Sequence, residues 1–184
     1  MTRAAKKSVV KKTKAKKSAK PKAVTRKPAA SKIALDVVIE DASWRKQPEG
    51  LRLLKRAARQ ALALGSKRKS AHLTIVLAND ARPAALNGDF RGLKKPTNVL
   101  SFPGGNPREY LGDIAIAYGV VAREAKAQKK TFSAHAAHLA AHGVLHLLGY
   151  DHLTDSEAEA MEALEVRALK ALRIADPYAA AFEA

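Results

Sequence analysis

The residues with the clearest chemistry lie in one stretch, HLAAHGVLHLLGYDH, residues 138–152. His142 and His146 are four apart, so on a helix they share a face and sit about 6 Å apart along its axis. That separation lets two imidazoles reach one ion at the roughly 2.0–2.1 Å of a zinc–nitrogen bond. Gly149 tolerates the left-handed backbone that ends a helix, and the turn after it can return His152 to the same ion. Three nitrogen ligands leave a fourth position open to water, which distinguishes a catalytic zinc from a structural one. The implied chemistry is hydrolysis by a water on the metal, with one ion per chain.

The spacing matches HExxHxxGxxH, in which two helical histidines, a glycine and a third histidine occupy the same positions. Gly143 stands where that motif has its general-base glutamate. Peptide hydrolysis by that route needs the carboxylate to take a proton from the attacking water. The metal site therefore survives the comparison and the protease does not. Around the three histidines, His138 is a candidate supporting group, although a bland helix-face role competes with it, as it does for His135. Asp113 could orient a histidine or simply bond a turn, and Asp151, beside a ligand, could accept a proton or brace the loop.

A helix and a turn must carry these groups, and the rest of the chain must hold them. IALDVVI (Ile33–Ile39), HLTIVLA (His72–Ala78), TNVLSF (Thr97–Phe102) and GDIAIA (Gly112–Ala117) are predicted strands. Helical spacing runs from Pro48 to Leu64 with Gly65 as the stop, and over about 119–130, 133–148 and 155–173. Asn79 or Asp80 caps a further short helix ending near Leu86 to Gly88. This order is not a regular βαβ alternation. It predicts a single α+β domain, residues 31–184, in which about five helices pack on a small mixed sheet of about four strands. TNVLSF is either core or a sheet edge offered to substrate.

Charge is uneven along the 184 residues: positions 1–30 hold 12 of the 34 Lys and Arg and none of the 17 Asp and Glu. Almost without large apolar residues, this segment is predicted to be a disordered basic arm, either an electrostatic attractor of phosphates or a solubility tail. No apolar run reaches the roughly 18 residues of a membrane span, and no secretory leader pattern opens the chain. Cysteine is absent, which excludes disulfides and thiolate metal sites and suits a reducing cytoplasm.

HGVLHLLGYDH resembles the signature of the YbeY family of bacterial metal-dependent endoribonucleases. LNGDFRGLKKPTNVLSFPGG (Leu86–Gly105), LGDIAIA (Leu111–Ala117) and MEALE…DPY (Met161–Tyr178) resemble further blocks of that family in the same order. The resemblance spans nearly all of 33–178 and leaves the basic arm outside. It implies a zinc-dependent, single-strand-specific endoribonuclease of the cytoplasm that acts in 16S rRNA 3′ end maturation and late ribosome quality control. Its partners would be rRNA and ribosomal particles, with no membrane. It also implies an arginine important for activity, matching Arg91. A guanidinium can donate two parallel hydrogen bonds to a phosphate and offset charge in the transition state, whereas Lys94 and Lys95 suit general attraction. The proton acceptor stays open among a water, Asp151 and the RNA itself. Two rivals remain in view: a ribosome-binding assembly factor with a structural metal, and a metal hydrolase of a non-RNA substrate.

Overall fold

The computed structural model describes residues 32–67, 70–83, 85 and 97–179. The Lys-rich arm, the end of the short helix predicted after Asn79, and Arg91, Lys94 and Lys95 lie outside these described residues. Strand β1 (Lys32–Ile39) runs into a 3-10 turn (Ala42–Lys46) and helix α1 (Pro48–Gly65), which crosses to β2 (Ser70–Ala78). Then come β3 (Val99–Pro103), β4 (Gly112–Ala117) and helices α2 (Tyr118–Ala127), α3 (Phe132–Leu147) and α4 (Asp155–Lys170). The sheet has the order β1-β2-β4-β3, with β1, β2 and β4 parallel and β3 antiparallel at the edge. The fold is thus α+β with a four-stranded mixed sheet, as the sequence order implies.

Alternation decides which face of the sheet is covered. Leu73, Ile75 and Leu77 of β2 and Ile114 and Ile116 of β4 are buried in the core. Their neighbours Thr74 and Asp113 point to the opposite face, because successive side chains of a strand alternate. Helix α3 is the central element. Ala136, Ala137, Ala140, Ala141, Val144 and Leu145 are all buried, on a helix apolar nearly all round, as expected of one packed on several sides. Its small residues allow close approach, closest at Gly143. A Cβ placed there would lie 2.8 Å from Ile114 Cγ2 and 3.2 Å from Ser101 Oγ.

Helix ends explain the local placement. Thr131 caps α3 by accepting from Ala134 N–H, at 3.1 Å. At the other end Gly149, with φ +91°, closes a Schellman turn: Tyr150 N–H donates to Leu145 C=O and Gly149 N–H to His146 C=O, both at 3.0 Å. Asn79 takes the predicted capping role, accepting from Ala81 and Arg82 N–H, while Asp80 reaches Val120 N–H at 3.0 Å and so caps α2. Gly65 ends α1 as expected, without a left-handed backbone; its small size matters because a Cβ would sit 2.9 Å from Leu148 Cδ1. One expectation needs correction. Helix α4 stops at Lys170, three residues short of the expected end, because Arg173 (φ 60°) forms a second turn of the same kind, with Ile174 N–H on Leu169 C=O.

The tight contact at Gly143 has a measurable consequence. Gly143→Glu would restore the letters of the protease motif, but its Cβ would press into Ile114 and Ser101 Oγ. Overpacking and burial of a carboxylate are expected to lower unfolding stability by about 3 kcal/mol or more in urea titration. Stability equal to wild type would mean that this face of α3 has room to spare.

Candidate metal centre

His142 and His146 stand one turn apart on α3, and His152 lies on the loop that follows the Gly149 turn. One ring nitrogen from each falls within 4.8 Å of the others, so the structure brings the three histidines together. The Nε2 atoms of His142 and His146 are only 3.0 Å apart.

The partners on the far side of each ring decide what those atoms are. His146 Nδ1 lies 3.0 Å from the carbonyl oxygen of Tyr150, which can only accept, so Nδ1 carries the proton. His142 Nδ1 lies 2.8 Å from Glu165 Oε1. Burial opposes ionisation of Glu165, but hydrogen bonds from His138 and His142 outweigh it and hold the carboxyl at about 2. It too is an acceptor. In the neutral rings both Nε2 atoms are therefore bare lone pairs aimed at each other. Two lone pairs at this distance repel unless a cation lies between them, and two nitrogens on a tetrahedral zinc stand about 3.3 Å apart. Burial first, then the neighbouring His142 and His152, lowers the pKa of His146 below the ordinary histidine value, which favours the neutral form a metal needs. The donor set fits a divalent metal ion.

The centre opens on a cleft of about 400 Å³. Its other wall is the edge of β3 and the residues before it, Thr97 to Ser101 with Pro103. Ser101 Oγ donates to Gly143 C=O at 3.1 Å and ties that wall to the metal helix. The TNVLSF strand is thus both core, through buried Leu100, and cleft wall.

A family model described as Endoribonuclease YbeY matches residues 37–173. The chain belongs to the YbeY family. It is 46% identical over 155 residues to Endoribonuclease YbeY of Rhodopseudomonas palustris, covering 79% of this chain and 90% of that protein. With the protein of the same description from Bradyrhizobium diazoefficiens it shares 44% over 154 residues, 78% of this chain and 84% of the other. The solution structure of TM1509 from Thermotoga maritima is similar with a TM-score of 0.49 and 22% identity, over 79% of this chain and 99% of that one.

Within this YbeY-family chain the other candidate residues separate cleanly. His138 approaches the centre through Glu165, with Nε2 2.6 Å from Oε2. Asp151 is half-exposed beside the centre, accepting from His152 N–H at 2.9 Å and lying 4.0 Å from His146 Nδ1. Asp113 is not brought to the histidines. It lies on the sheet face turned away from α3, where Tyr110 O–H donates to it at 2.5 Å. Arg91 lies outside the described residues. Glu165 lies in the MEALE block quoted from the sequence but was assigned no role there; in the structure it is buried on α4 with Met161, Ala168 and Leu169. A carboxylate inside an apolar stripe needs a reason.

His135, one turn before His138, supplies a separate test of burial. Desolvation lowers its pKa below the ordinary value, despite the Glu124 carboxylate 2.8 Å away. It therefore binds a proton less readily in the folded chain than in the unfolded chain, which protonates it below about pH 6.5. Protons then favour unfolding, so stability holds above that value and falls as the pH drops through it. In metal-free protein the urea midpoint should decrease between about pH 7.5 and about pH 5.5. His135→Gln should shrink that decrease, and an unchanged slope would contradict the assignment.

Proposed function

We propose that this chain is a zinc-dependent endoribonuclease specific for single-stranded RNA, acting in the cytoplasm on rRNA and ribosomal particles, in 16S rRNA 3′ end maturation and late ribosome quality control. The observation that carries the reading is the convergence of two imidazole lone pairs, with a third histidine, at the mouth of an open cleft. Relatives 46% and 44% identical over 155 and 154 residues bear the name endoribonuclease.

His142, His146 and His152 would hold the ion, and Glu165 and the Tyr150 carbonyl fix the tautomers of the first two. A divalent ion bound there would supply Lewis acidity and a water acidified to near neutral pH. The β3 wall and the histidines define a cleft in which a single strand can bend, since an unpaired backbone is free to turn into a site beside a helix end. Arg91 would grip the scissile phosphate with two parallel hydrogen bonds and offset charge developing on it. Asp151, half-exposed and adjacent, would be one candidate to take a proton, beside a water and the RNA itself. The Lys-rich residues 1–30 would add salt-dependent attraction to phosphates.

Two features weigh against the rivals. Gly143 supplies no general base for peptide hydrolysis, and its surroundings leave no room for one. Among the described residues the histidine cluster has three members, which leaves an open position rather than a closed structural site. The deciding assay compares initial rates on a single-stranded rRNA fragment, the same fragment annealed to its complement, and casein. Cleavage of the single strand that vanishes with a chelator and returns with zinc is the expected pattern. Proteolysis, or no turnover of any substrate by metal-loaded protein, would overturn the reading.

A further inference from the structure

Glu165 is fully buried, yet no lysine or arginine faces it among the described residues. Its two oxygens instead receive three donors. His142 Nδ1–H serves Oε1, while His138 Nε2–H and the phenol O–H of Tyr178 both serve Oε2. Removing a carboxylate from water costs several kcal/mol unless its oxygens are fully engaged. Here all the compensation comes from two imidazoles and a phenol, and one of those imidazoles points its other nitrogen into the metal centre. His138 bears a further cost: with Nε2 committed to the carboxylate, its buried Nδ1 has no partner among the described residues.

Tyr178 does not belong to the helices that build the centre. It follows α4 by eight residues, on a segment held by Lys130 Nζ donating to Pro177 C=O at 2.7 Å and by Tyr178 N–H on Asp176 Oδ1 at 2.8 Å. Its ring lies edge-on to His138, with centroids 5.5 Å apart. A carboxylate with one donor can rotate. With three donors spread over both oxygens its plane is set, and Oε1 is committed to His142.

We propose that Tyr178 is a positioning residue for the metal centre: through Glu165 it fixes the orientation and tautomer of His142, and so makes metal affinity depend on the seating of the C-terminal segment. This rests on the metal-centre reading above. The phenol touches neither metal nor substrate. Its effect passes through one carboxylate, and that gives the test its form.

Zinc affinity of the full chain is measured by competition with a chromophoric chelator for wild type, Tyr178→Phe, Glu165→Gln, the double variant and His142→Ala. Outer-shell partners of a metal ligand typically govern affinity by 10–100-fold. Glu165→Gln, which keeps the shape and loses the charge, should fall in that range. Tyr178→Phe, which loses one donor of three, should weaken zinc about three- to tenfold. Because Tyr178 acts through Glu165, the double variant should be no weaker than Glu165→Gln alone. In the metal-free protein, nitrogen-15 chemical shifts of His142 should report the Nδ1–H form in wild type and a mixture in Tyr178→Phe. Unchanged affinity in Tyr178→Phe, or losses that simply add, would overturn the proposal. If Glu165→Gln does not fold, Tyr178→Phe and the nitrogen shifts decide alone. Full zinc binding by His142→Ala would instead overturn the metal centre itself.

Discussion

Replacing His142, His146 or His152 by alanine is expected to weaken bound zinc by well over tenfold in each case. Three ligands leave no redundancy, and each removal turns a tridentate site into a bidentate one open to water. The three losses need not be equal. His142 and His146 are pre-set, with their outer nitrogens engaged by Glu165 and the Tyr150 carbonyl, so their lone pairs already face the ion position. His152 is exposed on a loop and must give up more motion to bind, so its removal forfeits less pre-organisation. His142→Ala carries a second effect: it strips Glu165 of one of its three donors while the carboxylate stays buried. This variant is therefore expected to lose stability even without metal, whereas His152→Ala is not. Metal content and urea midpoints on the same preparations check both statements. Full occupancy in all three variants would contradict the site.

The second large effect concerns Arg91, which separates a nuclease from a helix that merely binds metal. Its assignment stands on the family resemblance of the block Leu86–Gly105 and on the chemistry of a guanidinium. Arg91→Glu should abolish cleavage of single-stranded rRNA while leaving fold and zinc content intact, because the three histidines lie about fifty residues downstream and depend on other partners. Arg91→Lys keeps the charge but not the two parallel donors, so its rate should fall between wild type and Arg91→Glu. Equal initial rates for the three proteins would remove the arginine from the mechanism, and with it much of the case for phosphate chemistry.

What could be read from the sequence was local, and what could not be read depended on packing. The i, i+4 histidines and the Gly149 stop are short-range facts, so the helix, its end and the return of His152 followed from spacing alone. The strands were legible as runs of β-branched residues, within two residues of their observed starts. Glu165 was not legible as a partner of His142, because a glutamate on a charged helix ordinarily faces water. Only the docking of α4 on α3 buries it. The 3-10 turn at Ala42–Lys46 was missed for the same kind of reason. It exists to seat Trp44, whose Nε1–H reaches the carbonyl of Ala78 and whose ring meets Tyr118 and Phe132. Asp113 stayed open between the centre and a structural role because an acid beside apolar residues does not say which sheet face it takes. The buried isoleucine that follows it and contacts the Gly143 position decides that.

The central claim is that the three-histidine centre and RNA cleavage are one property. The most direct measurement strips the full chain with a chelator, returns zinc in substoichiometric steps, and records bound metal and the initial rate on single-stranded rRNA at each step. The rate is expected to rise in proportion to occupancy and to level off at one ion per chain, with His142→Ala flat throughout. Full cleavage by the stripped protein, or full occupancy without any cleavage, would contradict it.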